Sequence, residues 1–332
     1  MQRILVIQTA FIGDVVLATS ILETLRNQFP FAQLDIAVRK GNETLFNGHP
    51  YINQVLVWDK KHHKYKHLIQ LLGSIRKNKY CLVINLQRYA ATGFLTTFSG
   101  AKKTIGFKKN PFHLMFSKSV NHSMNKDGSG GHEIDRNHQL LQSIGNYDLC
   151  LPKLYPSKED DRCVLQFQQK NYICIAPTSV WLTKQYPQNK WIDLINQIPA
   201  HFNIYLLGAP SDLATCNSIQ QTSNNSNVYN LAGKCSFLQS ASLMKNATMN
   251  YVNDSAPMHF CSAMNAPVTV VYCSTIPAFG YGPLSINKTI IETNIEMDCR
   301  PCGMHGKMQC PLGHFDCANS IKTAQLLSSI SY

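Results

Sequence analysis

The sequence predicts an α/β protein made of two Rossmann-like domains, each a doubly wound parallel sheet, that face each other across a cleft. Short, continuously apolar segments alternate with helical segments along most of the 332 residues, as is typical of parallel strands buried on both faces. Residues 150–162 contain two prolines and a run of charges, the composition of an interdomain linker. We therefore expect one domain over residues 1–155 and another over 156–332.

In the first domain the alternation begins near the amino terminus. An apolar, β-prone segment over residues 3–9 precedes a short loop and a helix over 15–28, in which apolar residues recur at helical spacing. The other predicted elements are strands over 34–38, 55–58, 80–86 and 102–106, and helices over 68–77 and 134–144.

The second domain repeats this pattern after the linker. Residues 206–212 (LLGAPSD) contain a strand end, a turn and a helix cap. A C-terminal helix that packs back on the first domain is also compatible with this organisation. The predicted elements are strands over 172–175, 203–207, 227–230, 248–253 and 268–272, and helices over 189–198, 212–221, 236–246 and 257–263.

The charge is concentrated in the first half of the chain. Residues 1–150 hold 19 Lys and Arg against 9 Asp and Glu, a net charge of +10, whereas residues 151–332 hold 12 against 10, a net charge of +2. Such a basic half indicates an anionic partner (phosphate groups, an acidic lipid surface or RNA) or simply a solvated basic face. An aromatic platform and a recognised RNA-binding motif are both missing from the sequence, which disfavours RNA and nucleic acid in general.

The sequence also indicates a cytosolic protein. No apolar run reaches the about 18 residues of a membrane-spanning helix. The chain starts directly with a predicted strand and lacks the small-residue cleavage site of a signal peptide. We therefore expect a cytoplasmic location.

Three polar stretches follow predicted strands, where open α/β sheets bind their ligands. In the first, TAFIGDVVLAT, Gly13 allows a tight turn and Asp14 lies in the first turn of a helix. A carboxylate there complements the helix dipole, which is an ordinary structural role. The alternative is a general base that points into the cleft.

The second stretch, APTSVWLTKQYP, follows the strand over 172–175. The hydroxyls of Thr178 and Ser179 are suited to holding phosphate oxygens, and Lys184 offers the positive charge that a pyrophosphate requires. An ordinary surface loop with a solvated lysine is the structural alternative.

The third stretch, VNDSAPMHFCSAMNAPVTVVY, ends a strand and begins a helix. Asp254 and Ser255 precede Pro257, a residue favoured at the first helical position. Backbone N–H groups at such a helix start form an anion site. His259 can donate to the same anion or satisfy a polar contact in the core.

Taken together, these stretches resemble glycosyltransferase family 9, the ADP-heptose–lipopolysaccharide heptosyltransferases. Their order and separations are similar to those of the family, and the resemblance covers almost the whole chain. Each motif alone is weak evidence for the family, whereas five motifs in the same order and at similar separations are specific to it. The segments that carry the resemblance are FIGDVVLATSILETLR, APTSVWLTKQYP, NLAGKCSF, NDSAPMHFCSAMNAPVTVVY and FGYGPL.

The resemblance implies the GT-B fold and an inverting, metal-independent transfer from ADP-L-glycero-D-manno-heptose to a heptose or Kdo of the lipopolysaccharide inner core. It also implies that the first domain binds the acceptor and the second the nucleotide sugar. In the first domain, the resemblance implies that Asp14 is the catalytic base. Gly13 is the glycine of the same loop. The donor phosphates are implied to bind Lys184 and the helix start formed by Asp254, Ser255, Ala256, Pro257 and His259.

This sequence departs from the family pattern at three positions. Thr178 and Ala256 stand where the family commonly has glycine, and Tyr186 stands where it often has tryptophan. The first two changes reduce backbone freedom near the phosphates, so they bear on donor preference more than on the fold.

Transfer to a sugar hydroxyl fits these residue types. An inverting displacement needs one base and a means of stabilising the departing diphosphate. The sequence contains no Asp-x-Asp pair of the kind that holds Mg²⁺ on a nucleotide, so we expect no cofactor and no catalytic metal. The basic first domain would then meet a phosphorylated lipid acceptor at the cytoplasmic face of the inner membrane, as a peripheral protein. The expected lipid contacts are residues 60–67 (KKHHKYKH) and Lys102, Lys103, Lys108 and Lys109.

A cysteine-rich segment near the carboxyl end has three interpretations. Cys299, Cys302, Cys310 and Cys317 are close in sequence, with two histidines between them. They are suited to a structural zinc site, to a redox pair or to ordinary reduced thiols.

Two alternatives to heptose transfer also remain. The chain could be a family 9 enzyme with another nucleotide sugar or acceptor, or a nucleotide-sugar binder without turnover. An oxidoreductase is disfavoured because the loop after the first strand lacks the glycines of a dinucleotide fingerprint.

Overall fold

The computed structural model describes residues 2–125 and 128–330. It divides into two compact units, Met1–Tyr155 and Pro156–Tyr332. Each unit contains a six-stranded sheet in which every strand pairing is parallel. The α/β class predicted from the sequence is therefore confirmed.

Within its described residues, the first unit combines its sheet with the four α-helices α1 to α4. Strand β1 is buried from Ile4 to Ile7, and its neighbours β2 and β4 are also largely buried, which explains their continuously apolar sequences. The strands are β1 (Arg3–Ile7), β2 (Gln33–Arg39), β3 (Ile52–Trp58), β4 (Leu82–Asn85), β5 (Lys103–Phe107) and β6 (Lys118–Val120), and the helices are α1 (Ile12–Gln28), α2 (Lys64–Lys77), α3 (Ala90–Thr97) and α4 (Glu133–Gln142).

The second unit has the same plan. Its three central strands, β7, β10 and β11, are buried at every residue. The strands are β7 (Tyr172–Ala176), β8 (Asn203–Leu206), β9 (Val228–Asn230), β10 (Met249–Asn253), β11 (Val268–Tyr272) and β12 (Lys288–Glu292), and the helices are α5 (Lys158–Leu165), α6 (Gln188–Gln197), α7 (Leu213–Thr222), α8 (Phe237–Lys245), α9 (Ala256–Met264), α10 (Asp316–Asn319) and α11 (Thr323–Leu327).

The two sheets have equivalent strand orders. The first runs β3-β2-β1-β4-β5-β6 and the second β12-β11-β10-β7-β8-β9, which is the Rossmann order when each unit is counted from its own first strand. The direction of the strand order reverses between β1 and β4 in the first sheet and between β7 and β10 in the second. Ligands of such sheets bind outside the carboxyl ends of the strands at this switch point.

Several elements were absent from the sequence prediction. Helix α3 has the sequence AATGFLTT, whose glycine and threonines weaken the helical signal. Strands β6 and β12 lie at sheet edges, are short and are partly exposed, so they lack a buried apolar run. Helix α5 begins inside the predicted linker, where Ser157 and Asp160 form a reciprocal capping box.

The C-terminal helices belong to the core of the second unit. Ala318, Ile321 and Leu326 are buried in its main apolar cluster, and the Tyr251 hydroxyl donates to the carbonyl oxygen of Leu326 at 3.0 Å. No helix among the described residues has both the length and the apolarity to cross a bilayer.

Candidate functional site

At the switch point of the second sheet, an ion pair joins two of the polar stretches. The ammonium Nζ of Lys184 lies 2.6 Å from Oδ2 of Asp254, and the side chains are only 14% and 8% exposed. The hydroxyl of Thr275, which follows β11, donates to the same Asp254 oxygen at 2.6 Å. The structure therefore brings Lys184 and Asp254 together, although 70 residues separate them in the sequence.

The loop that carries Lys184 is tied to both central strands. The backbone N–H of Tyr186 donates to the Asn253 side-chain oxygen at 2.8 Å, and the Asn253 amide nitrogen donates to the carbonyl oxygen of Ala176 at 3.3 Å. Asn253 is fully buried. One side chain at the end of β10 thus fixes the end of β7 and the loop that follows it.

Thr178 and Ser179 lie in the same loop and are half-buried. The carbonyl oxygen of Ser179 accepts a hydrogen bond from the Gln185 side chain at 2.7 Å, which closes a short loop that contains Lys184. Trp181, in the same loop, is also half-buried.

The start of α9 differs in detail from the predicted anion site. Ser255 is the N-cap residue, but its hydroxyl makes no capping bond and donates to the carbonyl oxygen of Asn253 at 3.3 Å. Pro257 has no amide hydrogen, and the N–H of Met258 donates to the carbonyl oxygen of Ser255 at 3.1 Å. Fewer amides are therefore available to a ligand than the motif suggests.

Two other residues of this helix start were also named from the sequence. Ala256 is half-buried and His259 is buried, 7% exposed. Both lie in the first four residues of α9, shortly after Asp254 in the chain.

At the switch point of the first sheet stands Asp14. Helix α1 begins at Ile12 and its N-cap residue, Phe11, makes no side-chain capping bond. Asp14 is half-buried in the first turn, and Gly13 before it is buried. Asp14 lies in the first helical turn, as the sequence predicts, whereas Gly13 is part of the helix and does not form the predicted tight turn. A carboxylate at the position of Asp14 complements the helix dipole.

Arg39 and Lys60 are half-buried cations at this same edge. The Arg39 guanidinium, at the end of β2, lies 4.5 Å from the centre of the Phe11 ring. Burial lowers the pKa of Arg39, and the nearby Asp14 carboxylate partly offsets this effect. Arg39 was missed in the sequence analysis. Its position as the last residue of a buried strand was the available signal.

The second cation is Lys60, part of the basic cluster identified from the sequence. Its ammonium donates to the carbonyl oxygen of Thr9 at 2.6 Å and lies 4.6 Å from the centre of the Trp58 ring. Burial, together with the positive charges of Arg39 and Lys64, lowers the pKa of Lys60 to about 8. A half-buried lysine with a lowered pKa at a sheet edge is a candidate anion-binding group.

Buried polar contacts fix the loop between β1 and α1. The Thr9 hydroxyl donates to the Gln87 side-chain oxygen at 2.6 Å, and the Asn42 amide donates to the carbonyl oxygen of Ala10 at 3.1 Å. These bonds connect the ends of β1, β2 and β4 and hold Asp14 at a defined place on the edge.

The cysteine-rich segment forms one local structure. Cys299, Cys302, Cys310 and Cys317 line a single pocket together with His314, and all four thiols are free of disulfides. Burial, with the neighbouring thiols, raises the pKa of Cys317 to about 11. Within the described part of the chain, no three His, Cys, Asp or Glu side chains are arranged to hold a metal ion.

Comparison with known proteins gives consistent matches. A sequence model of glycosyltransferase family 9 (heptosyltransferase) matches residues 68–314. Lipopolysaccharide heptosyltransferase 3 of Escherichia coli strain K12 is 25% identical over 283 residues, covering 80% of this chain and 81% of that protein.

Solved structures show the same fold. A family 9 glycosyltransferase from Veillonella parvula has a TM-score of 0.86 at 21% identity, over 99% of this chain and 96% of that one. The E. coli ADP-heptose lipopolysaccharide heptosyltransferase II has a TM-score of 0.80 at 21% identity, over 99% and 97%.

The family match spans well over half of the chain and includes both members of the Lys184–Asp254 pair. The matched structures share the overall fold over almost the whole length of both chains. The chain therefore belongs to glycosyltransferase family 9, the heptosyltransferase family, and is a glycosyltransferase with the GT-B fold.

Proposed function

We propose that this enzyme transfers a heptose, with inversion, from ADP-L-glycero-D-manno-heptose to the inner core of lipopolysaccharide. The observation that carries the proposal is the buried Lys184–Asp254 pair at the switch point of the second sheet, where a diphosphate is expected. The names of two similar proteins also support these substrates, because one contains lipopolysaccharide and the other contains both ADP-heptose and lipopolysaccharide.

The second unit binds the nucleotide sugar in this proposal. Negative charge develops on the ADP diphosphate as the bond to the sugar breaks, and Lys184 meets that charge. A well-aimed group of this kind contributes ~3 kcal/mol, or ~10²-fold in rate. Thr178, Ser179 and the start of α9, from Ser255 and Ala256 to His259, surround the diphosphate.

Asp254 orients Lys184. The carboxylate is itself fixed by the Thr275 hydroxyl, so the ammonium is held in one place before the donor arrives. The pair is electrically neutral, which reduces the cost of keeping a lysine almost buried. An incoming diphosphate shares the ammonium with Asp254, because the two oxygens of a carboxylate and the phosphate oxygens are all acceptors.

The first unit supplies the base. Asp14 accepts the proton of the acceptor hydroxyl as that oxygen forms its bond to the anomeric carbon, while the bond from this carbon to the diphosphate oxygen breaks and ADP departs. One carboxylate is sufficient, because an inverting displacement forms no covalent sugar–enzyme intermediate. The neutralisation of the leaving group is assigned to Lys184 and not to a metal ion.

The acceptor is a phosphorylated lipid oligosaccharide. Arg39 and Lys60, at the edge that carries Asp14, are suited to its anionic groups. Lys108 and Lys109 are exposed near a short turn in which Leu114 is 87% and Met115 57% exposed. Lysines beside exposed apolar side chains fit an anionic lipid surface, so we place the enzyme peripherally on the cytoplasmic leaflet.

A donor comparison with a matched lysine control tests the proposal. Transfer to heptose-deficient lipopolysaccharide and thermal shift should both favour ADP-heptose over UDP-, GDP- and CMP-sugars. Lys184→Gln should lower kcat about 10²-fold and raise the KM for the donor. Lys170→Gln, an exposed lysine of the same unit, should change neither.

Each alternative gives a different result in this experiment. Preference for another nucleotide sugar would point to a family 9 enzyme with a different donor. Tight binding of ADP-heptose with no transfer to any inner-core acceptor would indicate a binder without turnover. Full activity of the Lys184→Gln variant would overturn the role of the ion pair.

A further inference from the structure

The cysteine-rich segment is joined to the loop of Lys184 by reciprocal hydrogen bonds. The backbone N–H of Thr183 donates to the carbonyl oxygen of Lys307 at 3.1 Å, and the N–H of Lys307 donates to the Thr183 hydroxyl oxygen at 2.7 Å. That hydroxyl in turn lies 3.2 Å from the Lys307 carbonyl oxygen, to which it donates. These contacts connect residues 124 positions apart.

A third group completes the environment of the Thr183 side chain. The hydroxyl of Ser274 donates to the Thr183 hydroxyl oxygen at 3.0 Å. Thr183 is 2% exposed and Ser274 is fully buried. One donated and two accepted bonds use the full capacity of a hydroxyl group, so the threonine is held in a single position.

The segment itself is fixed to the end of β11. The N–H of Cys302 donates to the carbonyl oxygen of Ser274 at 2.8 Å. The Arg300 guanidinium donates to the carbonyl oxygens of Cys273 and Thr275, each at 2.7 Å. Thr275 is also the residue that holds Asp254, so the segment and the ion pair share one support.

The segment also lies directly against the lysine stem. Gly306 has a positive φ of 73°, and a Cβ atom built on it would lie 2.9 Å from Cγ of Lys184 and 3.0 Å from the Thr183 hydroxyl. Real Cβ contacts are longer than this, so only glycine allows the segment to pack so closely here.

From these contacts we propose that Thr183 is a positioning residue, and that the Cys299–Cys317 segment is the brace through which it holds Lys184 for the donor diphosphate. The inference rests on the proposed donor role of Lys184. Neither Thr183 nor the brace needs to touch the substrate. An error of about 1 Å in the place of a catalytic group can cost as much as 10²-fold, so the brace would act on donor binding and turnover without supplying chemistry.

The test is a series of donor kinetics on the full-length enzyme. Thr183→Val keeps the shape of the side chain but removes its donor and acceptor, and should raise the KM for ADP-heptose about tenfold and lower kcat several-fold. Thr183→Ser should restore most of the loss, because it keeps the hydroxyl. Thr222→Val, at an exposed threonine at the end of α7, is the matched control and should be silent.

A merely structural threonine gives a different outcome. In that case Thr183→Val would lower the melting temperature while the donor KM stayed unchanged, and the positioning role would be overturned. If Thr183→Val fails to fold, Gly306→Ala provides the second variant, because the added methyl presses on Lys184; an unchanged donor KM in that variant would equally contradict the inference.

The same series separates this inference from the proposed function. If Lys184→Gln loses activity and Thr183→Val has no effect, only the proposed role of the brace is overturned. A silent Lys184→Gln would remove the proposed donor role itself, whatever the threonine variants do.

Discussion

The carboxyl edges of the two sheets have the same topology but different arrangements of charged side chains. In the second unit, two cations are paired with carboxylates. Lys184 pairs with Asp254, and Arg300 pairs with Glu292. In the first unit, Arg39 and Lys60 contact aromatic rings, and both have lowered pKa values, with burial the first cause. Strand order thus gives the edge at which a ligand is expected, and the side chains at the strand ends differ between the two edges.

The difference fits two kinds of substrate. A neutral, almost buried ion pair is a preformed site for one small group, since its geometry is fixed before the ligand arrives. A set of partly buried cations, continued by exposed lysines, attracts a large anionic partner over a longer range. Changes at the first edge should therefore affect the base and the acceptor, whereas changes at the second should affect the donor.

The largest effect is expected at Asp14. Asp14→Asn should reduce transfer about 10³-fold, because removal of a general base costs 10²–10⁴-fold. The affinity for ADP-heptose, measured by calorimetry, should change less than twofold. The control is Asp148→Asn, an exposed carboxylate of the same unit. Transfer that persists in the Asp14→Asn variant would show that the first edge does not supply the base.

An intermediate effect is expected on membrane binding. Each lysine close to an anionic lipid surface contributes ~1 kcal/mol, about fivefold in affinity. The double variant Lys108→Gln/Lys109→Gln should therefore bind phosphatidylglycerol-containing vesicles roughly 25-fold more weakly in flotation assays. Lys170→Gln/Lys245→Gln, two exposed lysines of the second unit, should have little effect. Binding of the wild type that is independent of salt would contradict the electrostatic role of the first unit.

The smallest effect concerns the pH dependence of acceptor binding. The pKa of Lys60 is lowered to about 8, so its ammonium is mostly charged at pH 7 and mostly neutral at pH 9. Because an anionic acceptor needs the charged form, its KM should rise up to about tenfold from pH 7 to pH 9. Lys60→Arg stays charged and should flatten this profile, whereas Lys61→Arg, at the exposed neighbour, should not. A profile that Lys60→Arg leaves unchanged would exclude Lys60 as the acceptor-binding group.

Much of the fold could be predicted because its signals are local. The apolar runs of β7, β10 and β11 are fully buried strands, and their length and alternation with helices specify a parallel sheet. Predictions failed where the signal was weak: α3 contains glycine and threonines, and the edge strands β6 and β12 are partly exposed. The capping box of α5 was a readable signal inside a segment taken for a linker.

The candidate site was predictable only in part. Asp14, Lys184 and Asp254 were named from motifs, each in the segment that follows a strand. Their partners were not: Arg39 reaches the Asp14 edge from a different strand, and Thr183 meets Lys307 across 124 residues. No sequence spacing specifies such contacts, because they depend on which strands become neighbours.

By itself, the sequence determined the alternation of strands and helices, the division into two Rossmann-like domains and the strand ends at which polar groups stand. These properties follow from hydrophobic periodicity and turn chemistry, which act over a few residues. Only the tertiary structure decided that Lys184 is paired with Asp254, that burial and nearby cations lower the pKa of Lys60, and that a cysteine-rich segment is hydrogen-bonded to the lysine loop. Charge pairing, desolvation and close packing depend on neighbours that the fold brings together from distant parts of the chain.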